Sequence, residues 1–151
     1  MDKGVYCLIF KNQDITVSVG ALGDLTFQAG WHIYVGSALG SGGLKRLDRH
    51  ISLAQMHDKK PKWHIDYLLT NPAFSLRYAI YAVTQEQYEC TLARSLGKSG
   101  VFGFGCSDCS CSSHLIFRKQ DPREEILNKF RDLKLDPVIK TIINFRVKDI
   151  I

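Results

Sequence analysis

Apolar and polar positions along this chain follow two periods, and the change between them falls near residue 44. Up to there the pattern is that of strands. Residues 5–10 (V-Y-C-L-I-F) are almost uniformly apolar and form a strong strand candidate. Residues 14–20 set Ile15, Val17 and Val19 against Thr16 and Ser18, the period of two of a half-buried strand. The polar K-N-Q-D link between the two runs is short enough for a hairpin. Residues 25–27 form a brief extended piece, and 31–37 (W-H-I-Y-V-G-S) the next strand, rich in aromatic and β-branched side chains. The first 37 residues therefore predict an antiparallel sheet.

Gly36, Gly40, Gly42 and Gly43 then predict a tight reversal into a helix that starts near Gly43 or Leu44. At roughly 100° per residue, Leu44, Leu47, Ile51 and Ala54 share one arc, with Arg46 and His50 together on its flank. The helix fades near residues 56–58 into the charged segment H-D-K-K-P-K. Residues 63–69 (W-H-I-D-Y-L-L) read as a short buried helix stopped by Asn71-Pro72. Residues 75–83 predict another strand. Thr84-Gln85-Glu86-Gln87 matches a capping box, opening a helix to Leu96 that Gly97 closes. A Gly/Ser/Cys-rich loop spans 98–113, and a short strand spans 114–117. Asp121-Pro122-Arg123-Glu124 opens a further helix to about Leu133. The run V-I-K-T-I-I-N-F after Asp136-Pro137 fits helix or strand equally. The expected class is α/β (α+β): a small, mainly antiparallel sheet flanked by helices. Residues 1–118 form its body, and 119–151 a C-terminal helical extension packed on the same domain.

Composition changes this picture little, but charge distribution adds to it. Hydrophobic residues make up 45% of the 151 and charged residues 23%, values of a folded domain rather than a disordered chain. The formal net charge is +5, and most of the excess lies between residues 44 and 62. That window holds six cations (Lys45, Arg46, Arg49, Lys59, Lys60, Lys62) against Asp48 and Asp58. Such a cluster beside a glycine turn suits contacts to a phosphate backbone. It also suits a plain solvated helix face. No apolar run approaches the ~18 residues of a membrane span, and M-D-K-G-V-Y leads straight into a strand pattern. Five cysteines do not suggest a secreted disulfide framework, so the expected setting is cytoplasmic, without membrane association.

Several residues could carry chemistry. Tyr6 and Tyr34 each stand within an apolar strand, where a tyrosine is ordinarily a core or rim residue with its hydroxyl satisfied. On the helix after Thr84, Tyr88, Leu92, Ala93 and Leu96 fill one arc with Glu89 inside it. An inward carboxylate requires a cation, donors or a metal. His64 and Asp66 read either as metal ligands or as a structural histidine and a surface or capping aspartate. Cys106, Cys109, Cys111 and His114 place four soft ligands in nine residues. Zinc could take such a set, but their crowding argues for reduced structural or redox-sensitive thiols, with a disulfide as the third alternative.

Read together, Gly4-Val5-Tyr6, Tyr34-Val35-Gly36-Ser37, Arg46 and His50 resemble the GIY-YIG nuclease family. W-H-I-D-Y-L-L resembles its prokaryotic Uri-type branch. The resemblance covers roughly residues 4–118. It implies a metal-dependent endonuclease acting on nucleic acid, DNA more than RNA, with Tyr6, Tyr34, Arg46 and His50 as catalytic residues. One of the tyrosines would position or deprotonate the water, and Arg46 would hold the phosphate. Glu89 would bind one Mg²⁺ or Mn²⁺. Lys45, Arg49, Lys59, Lys60 and Lys62 would add backbone affinity. Two other classes stay open: a non-catalytic nucleic-acid-binding domain, and a zinc- or redox-responsive interaction module built on the cysteine loop.

Overall fold

The computed structural model describes residues 2–57, 59–97, 104 and 113–142. Its frame is a five-stranded antiparallel sheet built from β1 (Gly4–Asn12), β4 (Gly30–Ala38), β5 (Phe74–Val83), β6 (Leu115–Arg118) and β7 (Val138–Thr141), in the order β6-β4-β1-β5-β7. β1 lies at the centre, with both faces covered. Tyr6, Leu8 and Phe10 enter one core layer, and Val5, Cys7 and Ile9 the other. This two-sided burial explains why V-Y-C-L-I-F does not alternate.

The first layer packs beneath α1 (Lys45–Met56) and α2 (His64–Leu69), the second beneath α3 (Glu89–Ser95) and α4 (Arg123–Asp132). The fold is thus the small antiparallel sheet flanked by helices that the pattern predicts. β2 (Ile15–Ser18) and β3 (Asp24–Phe27) form a separate two-stranded ribbon. β1 pairs with β4 and β5, not with β2, so the expected hairpin across K-N-Q-D does not form. The undecided run near residue 138 supplies edge strand β7, so the C-terminal extension contributes a strand as well as a helix.

Two helices differ from their predicted frames. α3 starts at Glu89, five residues after Thr84. The Thr84 hydroxyl instead accepts from the Glu86 amide at 3.1 Å, capping a bend. In α1 the buried residues are Leu47, His50 and Leu53, while Leu44, Ile51 and Ala54 are half-buried. The inward face is therefore centred on His50, which the apolar arc placed at its flank. Of the four glycines around the reversal, only Gly43 needs the left-handed region (φ 56°). Gly36 is needed for space. A Cβ there would lie 2.4 Å from Cζ of Tyr6, whose ring crosses it from the neighbouring strand.

Candidate active site

Strand register brings the two tyrosines to one wall. Tyr6 pairs with Gly36 and Leu8 with Tyr34, so both aromatic side chains leave the same sheet face beneath α1. A cleft of about 400 Å³ opens there, lined by Tyr6, Tyr34, Arg46, Lys62, His64 and Glu89, with Ser37 and Gln87 at its polar edge. Tyr6, Tyr34, Arg46 and Glu89, which the sequence places on separate elements, thus border one concavity.

His50 lies just under this wall. It is 1% exposed, and its Nε2 is 2.8 Å from the Tyr6 hydroxyl. Burial lowers its pKa to about 4, opposed by Asp66 and aided by Arg49 and Arg46, so the ring is neutral at physiological pH. Burial likewise raises the Tyr6 phenol well above its usual value. The nearby charges change this in both directions: Tyr34 and Glu89 raise it further, while Arg46 and Arg49 oppose them. Arg46 does not make the Tyr6 phenol a readier base, because desolvation outweighs it. The Tyr6 hydroxyl keeps its proton, and which atom of the Tyr6–His50 pair donates is set by the imidazole tautomer. Nδ1 of His50 is buried and has no hydrogen-bond partner among the described residues.

Arg46 sits on the exposed side of α1, where its guanidinium donates to the Ser37 carbonyl at 2.9 Å. This bond ties the end of β4 to the first turn of the helix and holds the cation at the cleft edge. Among the other predicted cations, Lys62 lines the cleft. Lys45 lines an adjoining pocket of about 330 Å³, and Lys59 borders a smaller one of about 190 Å³. Lys60 is exposed on the connecting segment. Arg49, its side chain 31% exposed, borders that adjoining pocket as well. It donates to both oxygens of Asp66, at 3.4 and 3.3 Å.

Asp66 is fully buried and also accepts from the backbone amides of Lys62 and Trp63, at 2.8 and 3.1 Å. Burial alone would raise its pKa; the Arg49 and backbone donors outweigh this and leave it lowered. Asp66 is a capping residue of α2, and the metal-ligand reading of a His64–Asp66 pair is set aside. His64 faces the cleft, its ring 5.5 Å from that of Phe104. Trp63 was not read from the sequence as a site residue, yet it is 42% exposed and lines both the cleft and the adjoining pocket. Its signal was an aromatic residue among Lys59, Lys60 and Lys62, hidden because it also opens an apolar helix run.

Glu89 heads α3 with its side chain 15% exposed, facing inward as its arc predicts. Its Oε2 is 3.8 Å from Nδ1 of His114, whose Nε2 is 3.7 Å from the sulfur of Cys90. Ligand atoms of these three residues lie within 4.8 Å of one another. Cys90 is disulfide-bonded. A disulfide sulfur is not the thiolate that a soft ion takes, so Glu89 and His114 remain as donors. The expectations for Cys106, Cys109 and Cys111 fall outside the described residues. Among the described residues no helix is long and apolar enough to cross a membrane.

The family model described as domain of unknown function DUF123 matches residues 5–135. No curated protein and no solved structure matches the chain.

Proposed function

The chain belongs to the DUF123 family, a domain of unknown function, and we propose that it is a GIY-YIG-type endonuclease that hydrolyses phosphodiester bonds of nucleic acid, DNA more than RNA. The observation that carries this reading is the meeting of Tyr6, Tyr34, Arg46 and Glu89 at one polar cleft, with the Tyr6 hydroxyl bonded to a neutral imidazole beneath it. Hydrolysis needs a proton acceptor for water and a cation for the charge that grows on phosphorus. Both are present.

In this reading Arg46 and Lys62 hold the phosphate at the cleft edge. Tyr34, half-buried in the same wall, positions the attacking water. That water gives its proton to the Tyr6 oxygen as the Tyr6 proton moves to Nε2 of His50. The hydroxide so formed bonds to phosphorus, the bond from phosphorus to the leaving oxygen breaks, and that oxygen takes a proton from solvent. His50 becomes an imidazolium, disfavoured by burial, Arg49 and Arg46 but favoured by the field of Asp66, and afterwards its proton passes back through Tyr6 to solvent. Tyr6 therefore works as a relay in its neutral form, which fits its raised pKa.

A hard divalent ion also fits this cleft. Glu89 offers a carboxylate beside a concavity wide enough for water ligands, and Mg²⁺ or Mn²⁺ commonly takes one carboxylate and several waters. When bound, such an ion supplies charge neutralisation at the phosphate. His114, with its Nδ1 on the Glu89 side, would orient the carboxylate. A cytoplasmic setting belongs to the same proposal.

The test is a panel of duplex, branched and single-stranded substrates incubated with Mg²⁺ or Mn²⁺ and, in parallel, with EDTA. Metal-dependent cleavage of at least one substrate is expected. Salt-sensitive binding without cleavage of any would favour the non-catalytic binding domain.

A further inference from the structure

Trp63 forms the partition between the cleft and the adjoining pocket, and it is held there from below. Asp66, with no exposed surface, accepts from the Trp63 amide and from the guanidinium of Arg49. The Arg49 guanidinium in turn lies 4.4 Å from the centre of the Trp63 ring, and that of Arg46 lies 5.0 Å from it. The His50 ring meets the indole edge-on at 5.8 Å. One buried carboxylate thus fixes both the backbone that carries the indole and a cation resting against it. Isolated surface tryptophans have no such support.

The pocket on the far side of this partition holds about 330 Å³ and is bordered by the Gly40–Gly43 turn, Lys45, Arg46, Arg49 and Trp63. Its walls combine three things: a partly exposed indole, cations, and a turn without bulky side chains. A phosphate needs the second, and a flat heteroaromatic ring needs the first. One nucleotide offers both a flat heteroaromatic ring and a phosphate, and so uses all three. A base stacked on the indole would have its phosphate within reach of Lys45 and Arg46. A base inside a duplex cannot present its face to a side chain without leaving the stack.

We propose that Trp63 and the pocket beside it form a stacking site for one unpaired nucleotide, so that the favoured ligand is a single-stranded or splayed stretch of nucleic acid lying across the cleft. This inference rests on the nucleic-acid reading above. It concerns binding alone, so its test omits cleavage.

The experiment measures affinity in EDTA by anisotropy for three labelled probes: dT12, rU12 and a blunt DNA duplex. Trp63→Ala is expected to weaken binding of the better single strand by roughly 5- to 150-fold, the range for deleting one base–aromatic stack, and to change duplex binding less than twofold. Trp63→Phe should restore most of the loss, since it keeps a π-face. In a Trp31→Phe background Trp63 is the sole tryptophan, and its fluorescence should be quenched by the strand. The ratio of dT12 to rU12 affinity assigns the sugar. Unchanged single-strand binding by Trp63→Ala, an equal loss on all probes, or failure of Trp63→Phe to recover affinity would overturn the stacking site. A protein that stacks a strand through Trp63 but cuts nothing in Mg²⁺ or Mn²⁺ would retain this inference and lose the nuclease reading.

Discussion

The ring of Tyr6 occupies the space where a side chain on Gly36 would stand: a Cβ built on Gly36 comes within 2.5 Å of the Tyr6 hydroxyl oxygen. The two residues are directly paired across β1 and β4. The glycine thereby sets the direction in which the phenol points, and the phenol's direction sets its bond to His50. Gly36→Ala should move the ring or spread the strands, with a loss of about 1–3 kcal/mol in denaturant unfolding, the usual penalty of overpacking a core. It should also lengthen the Tyr6–His50 contact. Unchanged stability would mean that the ring has room the structure does not show.

A second expectation concerns acid. His50 and His32 are both buried, and burial lowers each to about 4. Nδ1 of His32 donates to the side-chain oxygen of Asn12 at 2.7 Å, and burial holds that ring neutral. Unfolded histidines titrate near pH 6.5. Between about pH 6.5 and 4 the unfolded chain therefore binds more protons than the folded one, and stability must fall as pH is lowered through that window. Each histidine contributes a slope of up to about 1.4 kcal/mol per pH unit. Urea titrations at several pH values should show this slope, and His50→Gln should remove about half of it. A flat profile from pH 6.5 to 4 would contradict the buried neutral rings.

Asp66→Asn tests the support of the cleft edge. The carboxylate receives Arg49 and two backbone amides, and the amide replacing it loses one acceptor oxygen and the charge. A loss of about 1–3 kcal/mol is expected at neutral pH. Because those donors hold its folded pKa below the usual value, the contribution of Asp66 is present above the unfolded aspartate pKa. It is lost as pH falls through the folded one. The difference between wild type and variant should therefore shrink at low pH. A constant difference would mean that the charge of Asp66 is not what matters.

Glu89→Gln should abolish Mn²⁺ binding in an isothermal titration while leaving nucleic-acid affinity in EDTA within about twofold, since Lys45, Lys59 and Lys62 are untouched. The fold should persist, because the amide has the same size as the carboxylate. Retained Mn²⁺ binding would remove Glu89 as the ligand.

Much of this was legible in the chain, for identifiable reasons. Alternation of Ile15, Val17 and Val19 and the doubly buried run around Cys7 report the environment of single strands, which is what periodicity measures. Strand partners are a long-range property, and so the K-N-Q-D link looked like a hairpin although β1 pairs with strands beginning at Gly30 and Phe74. The cleft's tyrosines and Arg46 stand in short, ordered motifs. His50 was visible as a residue but not as the centre of a buried face, because its burial depends on the Tyr6 hydroxyl satisfying one nitrogen. Asp66 was legible as a capping aspartate, a reading the start of α2 bears out. Trp63 was hidden in an apolar helix signal, because an exposed indole leaves no periodicity of its own.

The central claim is that the Tyr6, Tyr34, Arg46 and Glu89 cleft cuts a phosphodiester. Its most direct measurement is single-turnover cleavage of the best substrate in Mn²⁺ by wild type, Arg46→Ala and Glu89→Gln, with EDTA alongside. The account predicts a wild-type rate abolished by EDTA, a loss of roughly 10²–10³-fold in Arg46→Ala, as for removing one preorganised charge-stabilising donor, and no metal-dependent cleavage by Glu89→Gln. Cleavage that survives EDTA, or that both variants perform at the wild-type rate, would contradict it.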